Sequence, residues 1–244
     1  MKLRITFLLA ALLGAATASA QPTYKLGLRG GLNRATTTLD AGSTGNDFFN
    51  FSYSADKSAI YAWQAGAVLE IGFGKFALQP ALLFSQKGER FNTTAFFRGS
   101  RGNSGSDTHS TNHYNWLELP VNVVYTVHGF QLFAGPYVAL GVGGQRQSVS
   151  YNYAPDAKFA PYYFDNKITY GPDTYNSRLD AGVNFGIGYR QGPVQVQLGY
   201  GLGLRNLHRE YIDYIIAEFP YHNFEADPAY NRVVQLTGTY FFNL

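Results

Sequence analysis

The stretch that decides the fold is Val194-Gln195-Val196-Gln197-Leu198-Gly199-Tyr200-Gly201-Leu202-Gly203-Leu204-Arg205. Large apolar side chains occupy every second position, and Gln, Gly and Arg occupy the positions between them. A period of two is that of a β-strand, in which successive side chains point to opposite faces. The segment therefore predicts a strand that is apolar on one face only and about twice the usual length of about 5–6 residues.

The same alternation recurs along the chain, for example over Leu179–Arg190 and Phe130–Val142. One face is uniformly large and apolar, whereas the other mixes Gly, Gln, Asn and single charges. This difference in size favours a narrow closed barrel whose outer face contacts lipid. The predicted strands are Tyr24–Asn33, Ala59–Phe73, Phe76–Lys87, His113–Val127, Phe130–Gln147, Ser177–Arg190, Pro193–Arg205 and Asn231–Leu244.

The connections between these strands alternate in length. Short turns follow the second, fourth and sixth strands at Gly74-Lys75, His128-Gly129 and Gln191-Gly192, and the other connections are each roughly 25 residues long. Short turns then lie at one end of the barrel, as in outer-membrane barrels. We therefore predict an all-β fold: an eight-stranded antiparallel up-and-down transmembrane β-barrel with short periplasmic turns and four long extracellular loops.

The N-terminal residues have the order of a secretory signal peptide. Lys2 and Arg4 precede the uncharged run Ile5–Ala16, and the small residues Ala18-Ser19-Ala20 follow it. The alternative is an N-terminal membrane anchor, which needs about 20 apolar residues, and the run Ile5–Ala16 is shorter than that. We expect residues 1–20 to be a signal peptide cleaved after Ala20, and residues 21–244 to be the outer membrane β-barrel domain.

Composition excludes several classes of protein. The 244 residues include 40 aromatic ones, only 14% are charged, and Cys is absent. A chain this rich in aromatic residues can bury a large core, which excludes an intrinsically disordered protein. A chain without Cys has neither disulfides nor thiol catalysis. Without residues 1–20, 17 basic residues face 16 acidic ones, which gives no support for nucleic-acid binding.

Several short phrases occur in a characteristic order along the chain. Gly27-Leu28-Arg29-Gly30-Gly31-Leu32-Asn33 is similar to the Gly-x-Lys-Gly-Gly-Leu-Asn opening of the PorT-like outer membrane β-barrel family of Bacteroidota, with Arg29 in place of Lys. Trp116-Leu117-Glu118-Leu119-Pro120 resembles its Tyr-Leu-Glu-Ile-Pro phrase. Further phrases in the family order are Ala134-Gly135-Pro136-Tyr137, Asp180-Ala181-Gly182 with Gly186-x-Gly188, and Tyr200-Gly201-Leu202 followed by Asn206-Leu207.

The resemblance implies an outer-membrane location and outer-membrane lipid as a partner. Family members are defined by fold rather than by activity, and PorT itself is tied to type IX secretion. The last strand also resembles the signal that barrel-assembly machinery reads, because it ends in alternating outward residues. These residues are Leu236, Gly238, Tyr240, Phe242 and Leu244.

The alternation also sends charged residues to the barrel interior. Eight strands leave a space that side chains just fill, so we expect an ion-paired network rather than a wide pore. A gated ion path or a proton relay is the alternative. We expect Glu118 to pair with Arg29, because both lie in family-like phrases. The predicted interior charges are Arg29, Glu70, Glu118, Asp180, Arg190 and Arg205, with Lys25 on the same face.

No catalytic, cofactor or metal site is predicted. His109 and His113 have helical i, i+4 spacing but lie in a Ser/Gly/Asn/Thr-rich segment. His208, Glu210 and His222 have no nearby Ser in sequence. We therefore expect no enzymatic activity.

The third and fourth connections are rich in aromatic residues, which suit a protein or glycan partner or an interfacial girdle. The sequence thus favours an outer membrane protein of structural or surface-interaction role. The alternatives are an accessory component of type IX secretion or narrow transporter, and a soluble lipocalin-like ligand carrier. The aromatic residues are Tyr151, Tyr153, Tyr162, Tyr163, Phe164, Tyr170 and Tyr175, then Tyr211, Tyr214, Phe219, Tyr221, Phe224 and Tyr230.

Overall fold

The computed structural model describes residues 22–38, 43–46, 51–99, 102–155, 157–171, 174, 176–208 and 228–243. The predicted signal peptide 1–20 and the aromatic residues at 175 and 211–224 lie outside them. Among the described residues, no helix is both long and apolar enough to span a membrane. The strands are β1 (Thr23–Thr37), β2 (Ser43–Asn46), β3 (Phe51–Phe73), β4 (Phe76–Gly99), β5 (Gly102–Val127), β6 (Phe130–Ala154), β7 (Ala157–Lys158), β8 (Tyr162–Lys167), β9 (Leu179–Gln191), β10 (Val194–Gly203) and β11 (Asn231–Asn243).

Eight of these strands form a closed antiparallel ring. The ring runs β1-β11-β10-β9-β6-β5-β4-β3 and returns to β1, because β1 pairs with both β11 and β3. The pairing is continuous from Lys25 opposite Asn243 to Thr37 opposite Asn231. Closure leaves no free edge in the wall. The predicted eight-stranded barrel is confirmed, and β2, β7 and β8 are short additions beside β3 and β6.

Three tight turns join strands at one end of the ring. Gly74-Lys75 and His128-Gly129 lie where they were predicted, between Phe73 and Phe76 and between Val127 and Phe130. His128 and Gly129 both have positive φ, 50° and 86°, as a two-residue type I′ hairpin requires. The third turn is Gly192-Pro193, one residue later than predicted, because Gln191 still pairs with Val194.

The strands differ in length around the ring. β3, β4, β5 and β6 contain 23 to 26 residues each, whereas β1, β9, β10 and β11 contain 10 to 15. The second long connection is therefore itself a hairpin, in which β4 and β5 stay paired until Gly99 faces Gly102. Its Thr and aromatic residues favour strands, although its Gly, Ser and Asn content is typical of a loop.

The two faces of the ring have opposite polarity. Leu28, Leu132, Ile187 and Leu198 point outward and are 61%, 60%, 57% and 49% exposed, whereas Gln195 is fully buried. Exposed apolar side chains cover the outer wall on every strand of the ring. A water-soluble protein rarely exposes so large a continuous apolar surface. This distribution fits a barrel in hydrocarbon, and we call its outer wall the apolar belt.

Charges placed on the apolar belt should destabilise the protein according to their depth. Leu198 lies in the middle of β10 and Leu204 just beyond its end. We expect Leu198→Arg to cost about 2–4 kcal/mol of unfolding free energy in lipid vesicles and Leu204→Arg about 0–1 kcal/mol. Denaturant titration followed by tryptophan fluorescence measures both. Equal, small costs would contradict a lipid-facing belt.

Candidate functional site

The inward face of the barrel is polar. Among the described residues, 22 buried side chains are polar or charged, against 16 apolar ones. Charged side chains are rarely buried without a partner, so each inward charge needs a hydrogen-bond or ion-pair partner. Most of the inward charges form two groups, one near the long-strand end of the barrel and one near the short turns.

The first group, the Lys87 cluster, surrounds one buried ammonium. Lys87 Nζ lies 2.7 Å from Glu118 Oε2 and 3.6 Å from Asp180 Oδ2, and all three residues are 1% exposed. Asp180 Oδ2 accepts hydrogen bonds from the Tyr137 hydroxyl at 3.0 Å and the Asn231 amide at 2.7 Å. Lys87 Nζ also lies 4.5 Å from the centre of the Tyr137 ring, a cation–π contact. The cluster joins β4, β5, β6, β9 and β11.

The second group, the Glu70 cluster, lies closer to the short turns. Arg190 Nη1 lies 2.6 Å from both carboxylate oxygens of Glu70, and Gln79 Nε2 donates to Glu70 Oε2 at 2.8 Å. Charge-assisted bonds of this kind are stronger than neutral ones. Gln79 links Glu70 to Arg29. The Arg29 guanidinium donates to Thr239 Oγ1, Gln79 Oε1 and Gln197 Oε1, at 2.9, 3.3 and 3.1 Å.

The structure brings most of the predicted interior charges together, and Arg205 differs. β10 ends at Gly203, so Arg205 follows the strand and is exposed. The alternation continues in the sequence beyond the last ladder pair, which is why it suggested an inward position. The residues inside the barrel are Arg29, Glu70, Glu118 and Asp180, which are buried, and Arg190 and Lys25, which are partly buried.

The predicted ion pair between Glu118 and Arg29 is wrong. Glu118 pairs with Lys87, and the described acceptors of Arg29 are neutral. Lys87 was not among the predicted interior charges because the predicted strand Phe76–Lys87 ends at this residue, whereas β4 continues to Gly99. The signal was present: Gln79, Ser85, Lys87 and Glu89 share one parity on β4 and are all buried.

An aromatic contact covers the interior at the long-strand end. The rings of Trp116 and Tyr170 are 5.7 Å apart, and Trp116 packs with Leu207 and Ala229. Backbone hydrogen bonds hold these segments together, from Ser177 N to Leu207 O at 2.7 Å and from Leu207 N to Ala229 O at 2.8 Å. Residues from two connections, β8 to β9 and β10 to β11, therefore meet over the barrel mouth.

A buried carboxyl lies beneath this cover. Glu89 Oε1 accepts hydrogen bonds from Asn112 Nδ2 at 2.8 Å and from the Tyr114 hydroxyl at 3.2 Å. Burial raises the pKa of Glu89, and the hydrogen bonds from Asn112 and Tyr114 oppose that rise. Burial likewise raises the pKa of Tyr114.

The spaces around these groups are too small for a ligand. A cavity between Glu89, Trp116 and Tyr170 has a volume of about 20 Å³, and one between Arg29 and Glu118 has about 10 Å³. Such volumes hold about one water molecule, whereas small-molecule sites occupy about 300–1,000 Å³. The interior of the described barrel is therefore packed at both charged levels.

The outward face of the extended strands has a different character. Above the apolar belt, β4, β5, β6 and β8 form one sheet whose outer side carries polar residues in register, including Arg90 opposite Thr111 and Gln145 opposite Lys167. Two adjoining concavities of about 780 and 490 Å³ lie on this face and share Gln147. We call this surface the outer groove.

Histidines lie in the outer groove rather than in a loop. His109 and His113 are both in β5 and on its outward side, about 13 Å apart along the strand. His109 Nδ1 lies 2.7 Å from Asn92 Oδ1. Partial burial and the nearby Arg90 lower the pKa of His113. Among the described residues, no group of three His, Cys, Asp or Glu side chains has the arrangement of a metal site.

The comparison with protein families gives a match over most of the chain. Residues 19–209 match the family model described as outer membrane protein beta-barrel domain. No curated protein matches the chain.

Solved structures give only distant similarity. Neisserial surface protein A (NspA) is 8% identical, with 91% of this chain and 100% of that chain covered and a TM-score of 0.36. The TodX deltaS2S3 mutant, a monoaromatic hydrocarbon channel, is 8% identical, with 94% and 92% covered and a TM-score of 0.17. Pseudomonas aeruginosa OpdL is 10% identical, with 93% and 100% covered and a TM-score of 0.14.

Removal of the buried ammonium should destabilise the barrel. Lys87→Met leaves Glu118 and Asp180 buried without their cation, so we expect a loss of about 3–5 kcal/mol in unfolding free energy in lipid vesicles. Lys75→Met, at an exposed turn position, is the matched control and should stay within about 0.5 kcal/mol.

A double variant isolates the electrostatic part of this effect. Lys87→Met combined with Glu118→Gln removes one stranded carboxylate and should recover part of the loss. A Lys87→Met variant as stable as Lys75→Met would show that the Lys87 cluster is not needed for stability.

Proposed function

The chain belongs to the outer membrane protein beta-barrel domain family, and from this premise we propose that it is a non-catalytic membrane scaffold that presents a binding surface outside the cell. The observation that carries the proposal is the unequal length of the strands. β3 to β6 continue as a paired sheet for many residues beyond the apolar belt, whereas β1, β9, β10 and β11 end near it. Strands that only anchor a barrel need about 9–11 residues.

The packed interior supports a scaffold over a transporter. The Lys87 and Glu70 clusters fill the barrel at two levels, and the cavities beside them hold about one water each. A solute path would require these buried ion pairs to separate, which costs several kcal/mol. Function then resides on the sheet that β4, β5, β6 and β8 form above the apolar belt, where the side chains are accessible.

The orientation follows from the same asymmetry. We place the three tight turns in the periplasm and the extended strands outside the cell, as in other barrels with short and long connections. Export then depends on the predicted signal peptide 1–20, and insertion on the alternating outward residues Leu236, Tyr240 and Phe242, which are 47–51% exposed. Barrel-assembly machinery is the expected partner at that stage.

A role in type IX secretion is the second candidate. The phrases Gly27–Asn33 and Trp116–Pro120 favour the narrower PorT-like group, and both lie in ring strands, β1 and β5. Their polar members Arg29, Asn33 and Glu118 are buried in the interior network. They therefore support a shared way of building the barrel wall more directly than a shared partner.

The soluble carrier is the weakest of the three alternatives. A lipocalin-like barrel encloses an apolar cavity, but here the apolar residues point outward and the interior is polar. A ligand of ordinary size needs about 300 Å³ or more. Neither property of a carrier is present in the described barrel.

Reconstitution into liposomes tests the scaffold proposal. We expect vesicles that contain the folded protein to swell in isotonic arabinose or glycine no faster than empty vesicles, because ion pairs and side chains fill the barrel. A porin of known conductance is the positive control, and the heat-dependent shift in gel mobility confirms folding. Swelling at a rate close to that of the porin would favour the transporter instead.

A further inference from the structure

The outer groove begins where the apolar belt ends. On β4, Gln86 follows the belt residue Phe84, and on β5, His113 and Asn115 follow the belt residue Leu117 on the same outward face. A lipid whose chains pack on this wall would place its head group at the lower end of the groove. Exposed belt residues beneath it are Leu82, Leu117, Val138 and Val142, at 53%, 42%, 55% and 50% exposure.

Strand pairing arranges the side chains of the groove in rows. His113 lies opposite Gly88 and Gln145, and Gln145 lies opposite Lys167. The next row runs from Arg90 through Thr111 and Gln147 to Asp165, and the row above it from Asn92 through His109 and Val149 to Tyr163. Gly88 contributes no side chain, so the lower row is concave at that point.

The size of the groove suits a disaccharide-sized head group. Its two parts have volumes of about 780 and 490 Å³ and meet at Gln147. Ligand sites in proteins occupy about 300–1,000 Å³. The groove is thus large enough for a sugar head group, whereas the cavities inside the barrel are not.

The chemistry of the groove suits a phosphorylated sugar. Arg90 and Lys167 supply cations, and the carboxylate of Asp165 is already engaged by Gln145 Nε2 at 2.8 and 2.9 Å. Asp165 is the one acidic side chain among the described residues that line the two concavities. Cations bind phosphate oxygens, and amides and hydroxyls bind sugar hydroxyls.

We propose that the outer groove binds the phosphorylated sugar head group of a glycolipid in the outer leaflet, with Arg90 and Lys167 on phosphate and with the lipid chains against Leu82, Leu117 and Val142. This inference rests on the proposed function, because it places the extended strands outside the cell. The continuity of the groove with the apolar belt selects a membrane lipid over a soluble anion. Gln145, Gln147 and Tyr163 line the same groove and carry amide and hydroxyl groups of the kind that bind sugar hydroxyls.

Lipid titration of the folded full chain in detergent tests this assignment. The probe is bis-phosphorylated lipid A, compared with its dephosphorylated form and with inorganic phosphate. We expect Arg90→Gln/Lys167→Gln to weaken binding of bis-phosphorylated lipid A at least about tenfold, since each lost charge-assisted contact reduces affinity. The wild-type chain should bind dephosphorylated lipid A more weakly by a similar factor and inorganic phosphate more weakly still.

A matched variant controls for general charge at the membrane surface. Arg34→Gln/Arg178→Gln removes two exposed cations near the same rim but outside the groove, and it should bind lipid A as the wild type does. Arg90→Lys/Lys167→Arg keeps both charges and should retain binding. Heat-dependent gel mobility verifies that all variants are folded.

Three outcomes would overturn the assignment. The first is that Arg90→Gln/Lys167→Gln and Arg34→Gln/Arg178→Gln bind lipid A equally well. The others are that the wild type binds phosphorylated and dephosphorylated lipid A equally well, or that it binds inorganic phosphate as tightly as the lipid. Each leaves the scaffold proposal intact, because that proposal depends on liposome swelling. Rapid swelling of the vesicles, together with lipid binding that depends on Arg90 and Lys167, would reject the scaffold proposal and support glycolipid binding at the outer groove.

Discussion

Backbone hydrogen bonding in hydrocarbon is the constraint on which the rest of this structure depends. A wall that crosses a bilayer must satisfy every N–H and C=O group within the protein, which leaves closed barrels and helices as the options. The pairing of β1 with both β3 and β11 meets this requirement. Once the ring is closed, each strand has one face toward lipid and one toward a narrow interior, and the alternation of the sequence follows from that geometry.

The polarity of the interior is a consequence with its own cost. Side chains that face inward are removed from water, so each buried charge needs a partner. The Lys87 and Glu70 clusters meet that need by drawing partners from several strands. The same clusters occupy the space through which a solute would have to pass. The accessible chemistry therefore lies outside the ring, on the sheet that β4, β5, β6 and β8 build above the apolar belt.

Much of the fold could be predicted from sequence. A strict period of two predicts the strands of the barrel wall, and short Gly-containing turns predict the hairpins that join them. The partners inside the barrel could not be predicted, since the pair Lys87–Glu118 depends on where β4 ends and how the strands are staggered. The outer groove could not be predicted from sequence, because the register of the β5–β6 pairing shifts between Asn115 and Trp116. On β6 the inward parity changes there, from Tyr137 and Ala139 to Ser150, and a simple alternation cannot show this.

The central claim is that the apolar face of each strand contacts lipid and the polar face lies inside the barrel. The oxygen accessibility of spin labels along β10 tests it most directly. The chain has no Cys, so single Cys substitutions from Val194 to Leu204 can each be labelled in lipid vesicles without first replacing a native cysteine. The account predicts high oxygen accessibility at Val196, Leu198 and Leu202 and low accessibility with restricted motion at Gln195 and Gln197. The opposite phase, or equal accessibility at all positions, would contradict it.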